Sequence, residues 1–171
     1  LLEHALALVV DVTGASQGIG KALCLALAPV ALAIVFWYSL AKQFTSYTQL
    51  FLGLAMAVAP AGGWIAFGGP LRAEPFWLAL AIGTWVAGFD VLYACQDLEF
   101  DRREGLRSIP VRFGVARSVW ISRALHVVTV VALWAVGLVA GLGGVYFAGT
   151  AVVAVLLAFE QSLVHVDDLS Q

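Results

Sequence analysis

PFWLALAIGTWVAGFDVLYACQ, residues 75–96, runs without a break into DLEFDRREGLRSIPVRFG, residues 97–114, and the change of character between the two pieces decides the fold. The first piece is apolar on every face and close to the roughly 20 residues that cross a hydrocarbon core as a helix. The second is abruptly charged. If the helix continues past its apolar part, Asp90, Asp97 and Asp101, spaced i, i+7 and i+11, fall within about 20° of one stripe at 100° per residue. Tyr93 then lies about 60° to the side and Glu99 on the opposite face. Aspartates stacked at a membrane boundary repel one another and resist desolvation unless a cation sits among them. Mg²⁺ suits such a place, because it takes one or two carboxylates and completes its shell with water and phosphate oxygens. The pattern points to diphosphate chemistry at a membrane surface. The plainer reading is a solvated helix end whose acids pair with Arg102, Arg103 and Arg107.

The rest of the chain supports a membrane setting. Of its 171 residues 62% are hydrophobic and only 12% charged, and the mean hydropathy is +0.95, outside the range of soluble globular domains. Apolar runs of spanning length occur at residues 22–40, 48–68, 75–96, 118–140 and 144–163. Backbone polar groups in lipid need internal partners, so these runs read as helices, and none alternates as a membrane-barrel strand would. The expected fold is all-α, a polytopic transmembrane helix bundle. Ala61, Gly62, Gly63, Gly137, Gly141, Gly143 and Gly144 are the candidates for close helix packing.

Basic residues set the orientation. Arg102, Arg103, Arg107, Arg112 and Arg117 follow the third run, with Arg123 nearby, and Lys42 lies between the first and second runs on the same side; Arg72 and Lys21 fall on the other. The positive-inside rule places the acidic segment and Lys42 in the cytoplasm. A net charge of −2, with no basic run interleaved with aromatics, gives no reason to expect a nucleic-acid partner. Cys24 and Cys95 read as small core hydrophobes, and His4, His126 and His165 share no ligand spacing.

The stretch D-x-x-Y-A-x-Q-D-x-x-x-D-x-x-x-G-L-x-S-x-P-V-x-F-G, from Asp90 to Gly114, resembles the second aspartate-rich motif of the UbiA superfamily of intramembrane prenyltransferases, in its 4-hydroxybenzoate polyprenyltransferase type. Tyr38-Ser39-Leu40-Ala41-Lys42-Gln43-Phe44-Thr45 is similar to the family's Y-P/S-x-x-K-R-x-T loop, with Gln43 where Arg is usual, and Glu160 to Ser170 is a weaker third likeness. The resemblance covers residues 22–171. It implies a nine-helix bundle around a central cavity, two aspartate-rich motifs that bind Mg²⁺, and a prenyl diphosphate bridged between them. It also implies an integral protein of a bacterial inner membrane. About five or six of the nine helices are expected here as a single membrane domain (1–171), and the first motif would lie upstream of Leu1. On that expectation the chain is a fragment holding half of the diphosphate clamp, without transfer activity of its own.

Carried onto this sequence, the resemblance makes Asp97 and Asp101 the metal ligands and Lys42 a diphosphate contact that helps stabilise charge on the leaving group. Asp90 would touch the acceptor phenol or support the ligands, and Tyr38 and Tyr93 would contact substrate in the cavity. Arg107, Arg112 or Arg103 would anchor a carboxylate or phosphate. The implied reaction transfers a polyprenyl group from its diphosphate to an aromatic acid such as 4-hydroxybenzoate, a step of quinone biosynthesis, with the lipid bilayer as the medium.

The first 21 residues carry a competing signal. Val12-Thr13-Gly14-Ala15-Ser16-Gln17-Gly18-Ile19-Gly20 resembles the T-G-x-x-x-G-I-G turn of short-chain dehydrogenases, in which glycines bring backbone N–H groups against a dinucleotide pyrophosphate. Tyr38 and Lys42 even form a Y-x-x-x-K. That pair follows the glycines far too closely for the dehydrogenase fold. No alternating strands and helices and no ribose-binding acid follow either, so an NAD(H) site through Gly14, Gly18 and Gly20 is not expected. A Gly/Ser-rich hairpin and a chimeric junction both remain compatible with the stretch. A transporter in which the acids line a cation path is the alternative of another class; it predicts polar residues at mid-membrane or broken helices.

Overall fold

The computed structural model describes residues 40–66 and 72–164, together with positions 29, 32, 33, 36 and 37. The glycine-rich stretch around Gly14, Gly18 and Gly20 and the side chain of Tyr38 lie outside the described residues. Within them the chain is helical and contains no strand. A helical stretch ends at Phe44; then come α1 (Thr48–Ala66), α2 (Ala73–Gln96), α3 (Leu98–Arg103), α4 (Ile109–Phe113), α5 (Val115–Val139) and α6 (Gly144–Leu163). Among the described residues α2, α5 and α6 are long and apolar enough to cross a membrane.

Helix α2 is the centre of the arrangement, with α1 on one side and α5 on the other, while α6 touches α5 along a narrower strip. Such contacts need small residues, because lipid offers no hydrophobic incentive for helices to associate and close backbone approach supplies the dispersion energy instead. A methyl at Gly53 of α1 would collide with the Gly83 carbonyl oxygen and the Ala87 Cβ of α2. One at Gly88 of α2 would stand 2.6 Å from Cδ2 of His126 on α5, and one at Gly137 would stand 2.8 Å from the rings of Tyr146 and Phe147. Gly137 thus packs as its sequence suggests. Gly62, Gly63, Gly141, Gly143 and Gly144 do not, since nothing lies within 4 Å of a Cβ built on any of them. Gly141 serves the α5–α6 turn instead, at φ 63°. A Thr84–Thr129 hydroxyl contact of 2.9 Å adds a polar tie between α2 and α5.

The outer faces remain apolar. Val145, Val152, Val155, Leu156 and Phe159 of α6 are exposed, as are Trp134 and Leu138 of α5, which is the pattern of helices solvated by lipid. At the opposite pole, Leu92, Cys95 and Leu98 pack against Val115 and Val119, holding the charged end of α2 against the start of α5.

Candidate diphosphate site

The charged end of α2 is not the uninterrupted helix that the aspartate spacing assumes. Helix α2 stops at Gln96, and Asp97 (φ −89°, ψ 6°) is the joint from which α3 departs. The hydrogen bond from the Asp101 N–H to the Asp97 carbonyl, 2.8 Å, carries helical spacing across that joint. The two acids nonetheless meet different surroundings: Asp97 is exposed and Asp101 is wholly buried. Asp90, about two turns below Asp97, is half-buried, and the charges whose fields reach it are those of Lys42, Asp97 and Asp101. The four groups therefore form one electrostatic cluster, three carboxylates against one ammonium.

Lys42 enters that cluster from the last turn of the helical stretch that precedes α1, to which the short loop 45–47 joins it. Its Nζ lies 3.2 Å from Asp101 Oδ1, a contact between residues 59 positions apart. A buried carboxylate is costly without a partner, so this pair fixes where the loop must sit. The second oxygen of Asp101, Oδ2, has no partner although it is buried. The loop is strapped further by the segment after α3. Gly105 at φ 66° turns the chain so that the Leu106 N–H reaches the Asp101 carbonyl at 2.8 Å. The Arg107 N–H then donates to the Lys42 carbonyl at 2.9 Å, and an Arg107 guanidinium N–H to the Phe44 carbonyl at 2.8 Å. Two residues on, the Ile109 N–H donates to Oε1 of the buried Gln49, 3.2 Å, satisfying a donor at the start of α4.

The remaining expected residues fall around this core. Tyr93 is exposed and packs its ring on Phe89 at 4.9 Å. Arg112 lies over the rings of Tyr47 and Phe113, 5.2 Å from each centroid. Glu99, expected on the far face, is exposed there and pairs with Arg103 at 3.0 Å. Arg103 is thereby occupied with Glu99 and not with the aspartates. Gln49, Thr48 and Ser108 are buried at the same junction and were not anticipated. Gln49 Nε2, Thr48 Oγ1 and Ser108 Oγ all lack partners, so the interior beneath the loops is polar. A glutamine and a threonine opening an otherwise apolar run were the available signal.

Fitness for a hard divalent ion can be judged from the donors themselves. Asp101 Oδ2 is an uncommitted carboxylate oxygen, and Asp97 offers two more at the open edge, which suits an ion content with one or two carboxylates plus water and phosphate. Among the described residues no three His, Cys, Asp or Glu side chains form a ready-made cage, so such an ion would arrive with ligands of its own.

The chain is similar to known proteins of one family. The model of the UbiA prenyltransferase family matches residues 4–171, and so runs through the glycine-rich stretch. A mitochondrial 4-hydroxybenzoate polyprenyltransferase of Caenorhabditis elegans is 31% identical over 98% of this chain and 45% of its own length. A 4-hydroxybenzoate octaprenyltransferase of Alkalilimnicola ehrlichii is 34% identical over 84% of this chain and 48% of its own. The apo structure of a UbiA homolog from Aeropyrum pernix superposes with a TM-score of 0.74 at 29% identity, over 86% of this chain and 58% of that one. The chain thus spans about half the length of the curated relatives it matches. Helical architecture, the Asp90–Gly114 segment and these likenesses agree on one conclusion: the chain belongs to the UbiA prenyltransferase family.

Proposed function

We propose that this chain carries the diphosphate-handling face of a 4-hydroxybenzoate polyprenyltransferase, with the acids and Lys42 gripping the head of a polyprenyl diphosphate at the cytoplasmic side of a membrane. The observation that supports it most is the 3.2 Å pairing of Lys42, from the helical stretch before α1, with the buried Asp101 of α3, next to Asp97 at the exposed end of α2 and to the charges that act on Asp90. Asp97 and Asp101 are the residues that would hold Mg²⁺. An ion held by these two carboxylates would supply neutralisation of the charge on a departing diphosphate. Lys42, about a third exposed while its inner side rests on Asp101, presents its remaining N–H groups to a phosphate oxygen. Ionisation of the allylic C–O bond leaves a carbocation, which the electron-rich ring of the aromatic acid captures as a new C–C bond. Apolar side chains of the surrounding helices would keep water from intercepting it.

Arg107 has a double task on this reading. One guanidinium N–H fixes the Phe44 carbonyl, and the others face the open side, where they can meet phosphate. Arg112, resting on Tyr47, is the candidate for the acceptor carboxylate, and Asp90 and Tyr93 (with Tyr38, outside the described residues) for polar contacts further in. The test is transfer of a labelled prenyl group to 4-hydroxybenzoate by the protein that carries this chain. Arg112→Gln should raise the KM for the acid about tenfold or more, the scale of one charge-assisted contact, and leave the KM for the diphosphate unchanged. A rise in both constants would remove Arg112 from the acceptor site.

A further inference from the structure

The first N–H groups of a helix have no partner inside it and must find one elsewhere. Ser108, at the N-cap of α4, makes no capping bond, and Pro110 has no N–H to satisfy. The Ile109 N–H goes instead to Oε1 of Gln49, the second residue of α1, across 60 positions of sequence. Gln49 and Ile109 are each 1% exposed, so bulk water cannot replace either partner, and losing the amide would leave a buried donor unmet. The diphosphate chemistry assigns Gln49 no part.

What the amide holds is the segment that sets the site. The N–H groups of Leu106, Arg107 and Ile109 bond in turn to the Asp101 carbonyl (2.8 Å), the Lys42 carbonyl (2.9 Å) and Gln49 Oε1 (3.2 Å). Lys42 carries its ammonium on a flexible four-carbon stem, so its 3.2 Å reach to Asp101 Oδ1 depends on where its backbone is held. Gln49 is well placed to hold it. It lies one turn before Gly53 on the same face of α1, and Gly53 meets Gly83 of α2 too closely for a methyl to fit. The amide thus refers the 105–109 segment to the tight α1–α2 crossing. On the outer side the same two segments meet through rings, with Tyr47 6.2 Å from Phe113 and under Arg112. Tyr47 is exposed and ring contacts tolerate sliding, whereas a buried amide bond is directional.

We propose that Gln49 is a positioning residue for Lys42: bonded to the start of α4, it keeps the 105–109 segment, and through the Arg107–Lys42 backbone bond the Lys42 ammonium, in register with Asp101. The inference rests on the diphosphate reading above. Gln49 is buried and closed off from substrate, so its effect passes through Lys42. An amide suits the place, because a carboxylate would bring a further buried charge and a hydrocarbon would orphan the Ile109 N–H.

The test is a double-variant cycle, read as transfer of a labelled prenyl group to 4-hydroxybenzoate by the protein that carries this chain. Gln49→Met, which keeps the side chain's length and drops the amide, should lower kcat/KM for the diphosphate about tenfold, the cost of a misplacement under 1 Å, and leave the KM for the acid unchanged. In the Lys42→Met background the same change should cost less than about twofold, because the group it places is gone. Gln49→Asn, which withdraws the amide by one methylene, should behave as Gln49→Met does, and it decides the matter if Gln49→Met loses its helix content by circular dichroism. Thr48→Ala, at a residue as buried as Gln49 that makes no bond to α4, should leave kcat/KM intact. A loss that persists in the Lys42→Met background, a parallel rise in the KM for the acid, an equal loss at Thr48→Ala, or parental behaviour of Gln49→Asn would overturn the proposal. An unchanged Gln49→Met beside an impaired Lys42→Met would overturn it and spare the diphosphate reading, whereas an unimpaired Lys42→Met would overturn both.

Discussion

Asp101 and Lys42 carry the most consequential contact in the molecule. Asp101 is fully buried and Lys42 about a third exposed, so their attraction is partly screened on one side only. Removing the lysine leaves the carboxylate buried with no cation. Lys42→Met is expected to lower stability by about 1–3 kcal/mol, below the cost of breaking a fully buried pair because the lysine is partly exposed, as read from unfolding in detergent. The double variant Lys42→Met, Asp101→Leu should recover part of that loss, and additive losses would show that the pair is not coupled. In transfer assays of the protein that carries this chain, Asp97→Ala and Asp101→Ala should each cost about 10²-fold or more, the scale of removing a main charge-stabilising group, while Glu99→Ala, paired with Arg103 at the surface, should cost little. Equal losses at Glu99 would remove the facial argument. The spacing of the three aspartates revealed their shared surroundings but not their unequal burial. That difference arises because α2 ends at Gln96, and no helix-breaking residue marks the joint at Asp97. Nor could any local pattern reveal that Lys42, 59 positions away, supplies the counter-charge.

Among the elements, the tight crossing of α1 and α2 rests on Gly53 and Gly83, and that of α2 and α5 on Gly88. Gly53→Ala should destabilise the helix pair by about 1–3 kcal/mol, the range for forcing extra volume into a packed contact. Gly62→Ala, with open space around it, should stay within about 0.5 kcal/mol of the parent or gain slightly in helix propensity. Thermal unfolding of the two variants side by side checks the contrast. The helices themselves were plain from runs of apolar residues, and the second to fifth runs correspond closely to α1, α2, α5 and α6. Which glycines pack was not plain, because glycine serves turns and helix contacts alike and only the neighbouring helix decides. Gln161 illustrates the same limit: near the end of an apolar run it looks like an interfacial residue, and its role appears only once Ser122 and His126 stand opposite it.

For the molecule as a whole, the two ends of α2 lie about 36 Å apart, enough to place Arg72 and the Asp97–Arg107 segment on opposite sides of a bilayer. With the native cysteines replaced, a cysteine at Glu99 should react with a membrane-impermeant maleimide only from the cytoplasmic side and one at Arg72 only from the other. The reverse pattern would invert the assigned orientation. The central claim is that the acidic cluster with Lys42 holds a prenyl diphosphate through a divalent ion, and its most direct measurement is calorimetric titration of farnesyl diphosphate into the purified protein with and without Mg²⁺. Binding that requires Mg²⁺ and falls at least about tenfold in both Asp97→Asn and Asp101→Asn is the expected result. Binding that persists unchanged without Mg²⁺, or is indifferent to both substitutions, would contradict it.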